Sequence, residues 1–178
     1  GHLEQFQPES LRFIEKHGYD LKCNVKVLLD AFLETYHLKS IHPQTVDRFL
    51  DSRGTHAVLW RNGNSMMCTP HRRADWRDPG AVGMPEVQTV ESIFAQQNPS
   101  YLFYPNLVTP PSATGTPIIT FWPKTARSMT VDVHWFAPDG AEGHELWPTR
   151  MSNFERILEE DTQFAPRIQE SVETAGFK

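Results

Sequence analysis

Asn24-Val25-Lys26-Val27-Leu28-Leu29-Asp30-Ala31-Phe32-Leu33-Glu34-Thr35-Tyr36-His37, followed after Leu38-Lys39-Ser40 by Ile41-His42-Pro43, is the stretch on which the reading of this chain turns. Val25, Leu28, Leu29, Phe32 and Tyr36 recur at the spacing of one apolar helix face. Pro43 closes the pattern, because the residue before a proline is pushed out of the helical region. Asp30, Glu34 and His37 line up along the same predicted helix, one turn apart, beside the apolar seam. Polar groups in such a place need partners or a metal.

His37 and His42 alone are a weak pair. With eight histidines in the chain, chance supplies about a third of a pair at any one spacing. Five helical residues turn through about 500°, so the two rings share no face of an intact helix. A helix that ends between them lets both rings turn toward one point; two surface or capping histidines are the alternative.

Far along the chain, Phe154, Ile157, Leu158, Phe164, Ile168 and Val172 form a second apolar stripe, on a helix predicted from Ser152 to about Thr174. Pro166 predicts a break near Gln163. Asp161 falls in that stripe, while Glu159 and Glu160 fall on its polar side. A carboxylate in a core stripe requires a cation or a proton. Arg150, Arg156 and Arg167 are candidates, and a metal shared with two histidines is the other answer. Two histidines and one carboxylate is the ligand set of non-haem Fe(II) oxygenases, and zinc also uses it.

Between the helices the character is that of short strands punctuated by proline and glycine: His56–Trp60, Ser65–Cys68, Tyr101–Leu107, Pro117–Trp122 and Ser128–Phe136. The last alternates, with Met129, Val131, Val133 and Trp135 on one face and Thr130, Asp132 and His134 on the other. Pro123–Ala126 reads as the turn of an antiparallel hairpin. Residues 77–98 read as loop, then a helix from Val90 to Gln97; Pro8–Gly18 carries weak helical signals. The order helix, sheet, long helix predicts an α+β fold.

The 178 residues suit one domain, and a net charge of −5 with no basic run predicts no nucleic-acid or anionic-membrane partner. No apolar run reaches the length of a membrane span. Cys23 and Cys68, far apart, read as free thiols and predict a reducing, cytoplasmic setting. Gly1-His2 reads as a tag remnant, and residues 1–23 as a lead-in. His17, His56, His71, His134 and His144 read as turn or strand residues rather than ligands.

The stretch Asn24–His42 resembles the signature of Rieske-type (ring-hydroxylating) non-haem iron oxygenase alpha subunits, with Val25 in place of the usual tryptophan. Leu158-Glu159-Glu160-Asp161, with Gln169 and Ser171 following, is similar to that family's acidic helix, and Tyr101–Asn106 to one of its strands. The resemblance covers Asn24 to about Gly176. It implies a helix-grip fold (START/Bet v1-like), an antiparallel sheet wrapped around a long C-terminal helix, with residues 24–178 as the mononuclear-iron catalytic domain. It implies His37, His42 and Asp161 as ligands of a mononuclear Fe(II), Glu34 as the bridge toward a Rieske cluster, and Asp30 near the iron. Leu38 and Phe103 are implied or expected in the substrate pocket, with Trp60, Met66 and Met67 as further candidates. The Rieske 2Fe–2S cluster ligands, C-x-H and C-x-x-H, are not matched, so the cluster is expected on a missing domain or a separate chain, and this chain alone should not turn over.

The activity implied is O₂-dependent hydroxylation or oxidative demethylation of an aromatic or other apolar small molecule, fed by a ferredoxin/reductase chain. The family assembles as a homotrimer, whose interface the Rieske domain shares; a monomer is the alternative for this chain. A non-catalytic helix-grip module that binds a small ligand is the competing reading, and a zinc hydrolase a third.

Overall fold

The fold rests on one seven-stranded antiparallel sheet in the order β1-β7-β6-β5-β4-β3-β2, seen in a computed structural model that describes residues 1–177. The strands are β1 (Arg12–Leu21), β2 (His56–Leu59), β3 (Ser65–Pro70), β4 (Gln97–Phe103), β5 (Leu107–Thr109), β6 (Thr116–Thr125) and β7 (Ser128–Ala137). The helices are α1 (Val25–Phe32), α2 (Leu38–Ile41), α3 (Ser92–Ala95), α4 (Trp147–Thr162) and α5 (Ala165–Val172). The expected α+β helix-grip architecture is observed.

The core lies between one sheet face and the helices. Val108, Ile119, Phe121, Met129, Val131, Val133 and Trp135 are buried from the sheet side, and Leu28, Trp147, Met151, Leu158 and Ala165 from the helices. β7 alternates as its sequence predicts, so every second residue is buried. Aromatic edges join the layers: Phe32 meets Phe121 at 5.5 Å between ring centroids, and Trp135 meets Phe154 at 5.3 Å.

Several expectations are corrected. Residues 12–21 form a strand, not part of a helix over 8–18, and β1 pairs along its length with β7, so this segment belongs to the sheet rather than to a lead-in. Its inward positions include His17 and Tyr19, and a bulge between Phe13 and Glu15 breaks the alternation, which hides the strand from a period-two reading. The hairpin turn sits at Ala126-Arg127, and Pro123 is still paired with Met129. Proline is tolerated there because β5 has already ended on its other side. Tyr101–Leu107 is not one strand but two, β4 and β5, and the helix expected from Val90 to Gln97 shrinks to α3.

The C-terminal helix begins earlier than expected, at Trp147, with Pro148 in its first turn where a missing N–H costs nothing. It breaks between Thr162 and Ala165, as Pro166 predicts. Ile168 is exposed, and Ala165 and Gln169 take the buried positions of α5. Gln169 accepts a hydrogen bond from the Asn24 backbone N–H at 2.6 Å, while the Asn24 side chain caps α1 and donates to the Ala126 carbonyl. One asparagine thus ties α1 to α5 and to the β6–β7 turn.

At the loop before β6, Gly115 has φ +148°, and an added Cβ would lie 2.5 Å from the Trp147 ring. Gly115→Ala is expected to destabilise the chain by about 1–3 kcal/mol in urea denaturation, because the ring and the start of α4 must shift.

β1 is clamped to α4 by polar contacts. His17 Nδ1 and the Tyr19 hydroxyl both bond Glu155, and His17 Nε2 lies 2.9 Å from Glu15. The bond to Glu15, offset in part by burial and aided by Glu155, raises the His17 pKa. A raised pKa means that the contribution is full below the unfolded value near 6.5 and is lost as pH rises through the folded value. His17→Gln is therefore expected to cost up to about 1 kcal/mol near pH 5.5, and less as pH rises above 7, in urea melts across that range.

Candidate metal centre

Leu33 ends α1 with a backbone bond to Asp30, so the helix stops short of the predicted Tyr36. Glu34 then folds back. Its carboxylate accepts hydrogen bonds from the backbone N–H groups of Tyr36 and His37 and from His37 Nδ1. That local cap starts α2, with His37 at its N-terminal and His42 at its C-terminal boundary. The expected end of the helix between the two histidines is corrected: α1 stops before both of them, and the short helix α2 separates the two rings. Tyr36, expected on the apolar face, is 92% exposed as a result.

The two imidazoles meet edge to face, with centroids 5.1 Å apart, beside the end of α4. Asp161 Oδ1 lies 2.9 Å from His42 Nε2 and 3.6 Å from His37 Nε2. One ligand atom from each of His37, His42 and Asp161 lies within 4.8 Å of the others, the one such group among the described residues. On an ion with bonds near 2.1 Å, adjacent ligands at right angles stand about 3 Å apart, so small side-chain adjustments complete the set. The donor chemistry fits a divalent ion that accepts two nitrogens and an oxygen on one face.

Both Nδ1 atoms point away from the centre, and each is held by a carboxylate. His37 Nδ1 bonds Glu34, and His42 Nδ1 lies 2.7 Å from Glu160 Oε2. Such partners fix the tautomer and aim of a ligand histidine. Glu160 corrects the sequence reading, which left it on a solvated face: it also accepts from Thr45 Oγ at 2.5 Å. Its signal was present only as an acid beside Asp161. The arginines weighed as partners of Asp161 go elsewhere. Arg150 is buried and donates to the Thr114 carbonyl and Ser112 Oγ, and Arg156 stands 3.7 Å from Glu160. Among the described residues the ion-pair partners of Asp161 are His37 and His42.

A groove of about 290 Å³ between α1 and α5 leads to this cluster. Its walls include Val27, Ala31, Phe164 and Val172, and Glu34, His37 and Asp161 lie at the cluster end. Asp30 lines the groove and is exposed, one turn from Glu34. Leu38 is buried beside His37. Phe103 and Trp60 are not brought to the cluster: they line a separate groove of about 490 Å³ beside the N-terminal residues, because β4 and the β2–β3 hairpin turn them to the far part of the sheet. Met66 is buried, and neither it nor Met67 lines the groove at the cluster.

Burial disfavours the charged form of His42, but the hydrogen bonds its ring makes to the Asp161 and Glu160 carboxylates outweigh it and raise the pKa. A metal at Nε2 must displace that proton. Divalent-ion affinity is therefore expected to fall about tenfold per pH unit once pH drops below the His42 titration, starting above the ordinary imidazole value. Titration of the chain with Co(II) at several pH values measures this; an affinity flat from pH 8 to 6 would contradict it.

Comparison with known proteins points the same way. The family model described as "Ring hydroxylating alpha subunit (catalytic domain)" matches residues 8–178. Among solved structures, the quaternary ammonium Rieske monooxygenase CntA in complex with an inhibitor superposes with a TM-score of 0.71 at 14% identity, over 95% of this chain and 42% of that one. Naphthalene 1,2-dioxygenase with indole bound gives 0.67 at 12%, over 97% and 46%. Dicamba monooxygenase bound to 3,6-dichlorosalicylic acid gives 0.58 at 14%, over 95% and 53%. This chain therefore spans about half the length of the solved chains it resembles. No curated protein sequence matches. A family match over nearly the whole chain, with the fold of Rieske oxygenases around it, makes this chain a member of the ring-hydroxylating alpha-subunit family, and what it carries is that family's catalytic domain.

Proposed function

We propose that His37, His42 and Asp161 hold a mononuclear Fe(II), and that the chain is the part of a Rieske-type oxygenase in which a small apolar molecule is hydroxylated or demethylated with O₂. The observation that carries the reading is the convergence of two Nε2 atoms and one carboxylate oxygen, with each opposite Nδ1 held by an acid. A pocket that merely binds a ligand has no need of that arrangement, which favours the enzyme over the carrier. When bound, the iron supplies O₂ reduction at its open positions.

The chain's own residues have separable tasks. Glu34 and Glu160 hold the Nδ1 edges of the two rings. Val27, Ala31, Phe164 and Val172 offer an apolar surface that orients a substrate and keeps water from it. Its volume sits near the small end of ligand pockets, which suits a compact apolar compound. Solved relatives are described with naphthalene-type, dicamba and carnitine-type compounds, so the fold alone selects none of these. Electrons must come from a Rieske cluster outside residues 1–178, supplied in turn by a ferredoxin/reductase chain. Its partial exposure and its bond to His37 support the role of Glu34, taken from family resemblance, as the bridge toward that donor. One CntA structure is described in terms of inter-subunit electron transfer, which supports an assembly of several copies, a trimer by family resemblance. No helix among the described residues is long and apolar enough to cross a membrane, and two buried free cysteines suit a cytoplasmic setting.

Anaerobic Fe(II) binding tests the proposal. About one iron per chain is expected, lost in His37→Ala and in Asp161→Ala. No uptake, or uptake indifferent to both substitutions, sinks the iron site and returns the ligand-carrier reading.

A further inference from the structure

The end of α4 presents two adjacent acids to the two nitrogens of one ring. Glu160 Oε2 stands 2.7 Å from His42 Nδ1, and Asp161 Oδ1 stands 2.9 Å from Nε2. The ring between them is 1% exposed, so no water competes for either nitrogen. Glu160 is itself anchored by Thr45 Oγ–H at 2.5 Å, and Thr45 sits in the turn that closes on the His42 carbonyl at 3.2 Å. One carboxylate therefore grips both the ring and the turn that follows it.

A neutral imidazole has a single N–H, and two carboxylates here compete for it. If Asp161 wins, His42 carries its proton on Nε2, the lone pair points away from the centre, and histidine and aspartate occupy each other. If Glu160 wins, the proton sits on Nδ1, the Nε2 lone pair faces His37 and Asp161, and Asp161 is released as a ligand. The second hydrogen bond from Thr45 holds Glu160 in place, whereas Asp161 has no comparable hydroxyl partner among the described residues. We propose that Glu160, steadied by Thr45, is a positioning residue that decides this competition and keeps His42 and Asp161 from quenching one another. The proposal rests on the metal reading of the cluster. His37 needs no such referee from afar, because Glu34 lies three residues before it on the same segment. His42 depends on an acid 118 residues away, so its readiness to bind metal reports whether α4 is docked.

The test uses the full chain, with two readouts. Long-range ¹H–¹⁵N spectra of the metal-free protein, at a pH above the His42 titration, report its tautomer; anaerobic Co(II) titration followed by visible absorption reports the site. Wild type is expected to show the Nδ1–H tautomer. Glu160→Ala is expected to switch it to Nε2–H and to weaken Co(II) about 10- to 100-fold. Glu160→Gln, whose carbonyl still accepts the Nδ1 proton, is expected to keep the tautomer and lose only about threefold. Retention of the Nδ1–H tautomer in Glu160→Ala, or Co(II) affinity within about twofold of wild type, overturns the proposal. If Glu160→Ala does not fold, Thr45→Val decides: an affinity about three- to tenfold weaker supports the anchor, and an unchanged one overturns it. Failure of wild type to take up Co(II) overturns the metal centre instead, and the tautomer readout still tests the hold of Glu160 on His42.

Discussion

A buried imidazole needs partners for both nitrogens, and that demand at His42 organises the helical layer of this domain. His42 is reached from only one element that offers two acids in a row, the C-terminal end of α4. Apolar contacts alone allow a helix to roll or slide by part of a turn with little loss. The contacts of Glu160 and Asp161 with one ring do not, since either motion would strand a buried polar group at a cost of kcal/mol. The rotation of α4 over the sheet is thus set twice, by Trp147, Met151 and Leu158 in the core and by the two acids at the seam. Asn24 and Gln169 repeat the device one helix further on, tying α1 to α5.

Much of this was legible in the sequence where one physical signal dominated. The alternation of β7 and the proline break between α4 and α5 were read directly, because side-chain period and a missing N–H act locally. β1 was not, since its inward face includes His17 and Tyr19, whose polar ends meet Glu155 instead of an oily core. No hydrophobic period announces a strand whose partner is a carboxylate on a helix 138 residues later. The early end of α1 was hidden for a related reason. Leu33, Thr35 and Tyr36 continue an acceptable helix, and only the local fold-back of the Glu34 carboxylate onto the Tyr36 and His37 N–H groups stops it.

The site was legible to the same degree. Asp161 stood out because an acid in an apolar stripe is an anomaly that demands a cation. Glu160 did not, because the position next along a helix lies 100° away and looks solvated. A glutamate is long enough to cancel part of that angle when its target sits at the edge of the seam, and His42 does. The expected pocket residues divide similarly: Leu38 follows His37 into the core, while Phe103 and Trp60 belong to another groove, because strand positions far from the helices cannot be placed by one-dimensional pattern.

The charge count at the seam suits the divalent ion proposed above. Three carboxylates, those of Glu34, Glu160 and Asp161, face two imidazoles; Arg150 is spent on the 112–114 loop, and Arg156 stands 3.7 Å from Glu160 and offsets one of the three. With Arg156 counted, two neutral imidazoles leave two negative charges at the seam, and only two protonated ones leave none. A divalent ion offsets the excess while the histidines stay neutral, which is also the form in which they can bind it. Because the donors come from α2 and from α4, any binding energy is shared with the docking of those elements. On the proposed reading, metal binding and the grip of the C-terminal helix are one equilibrium, and a chain that loses either is expected to lose part of the other.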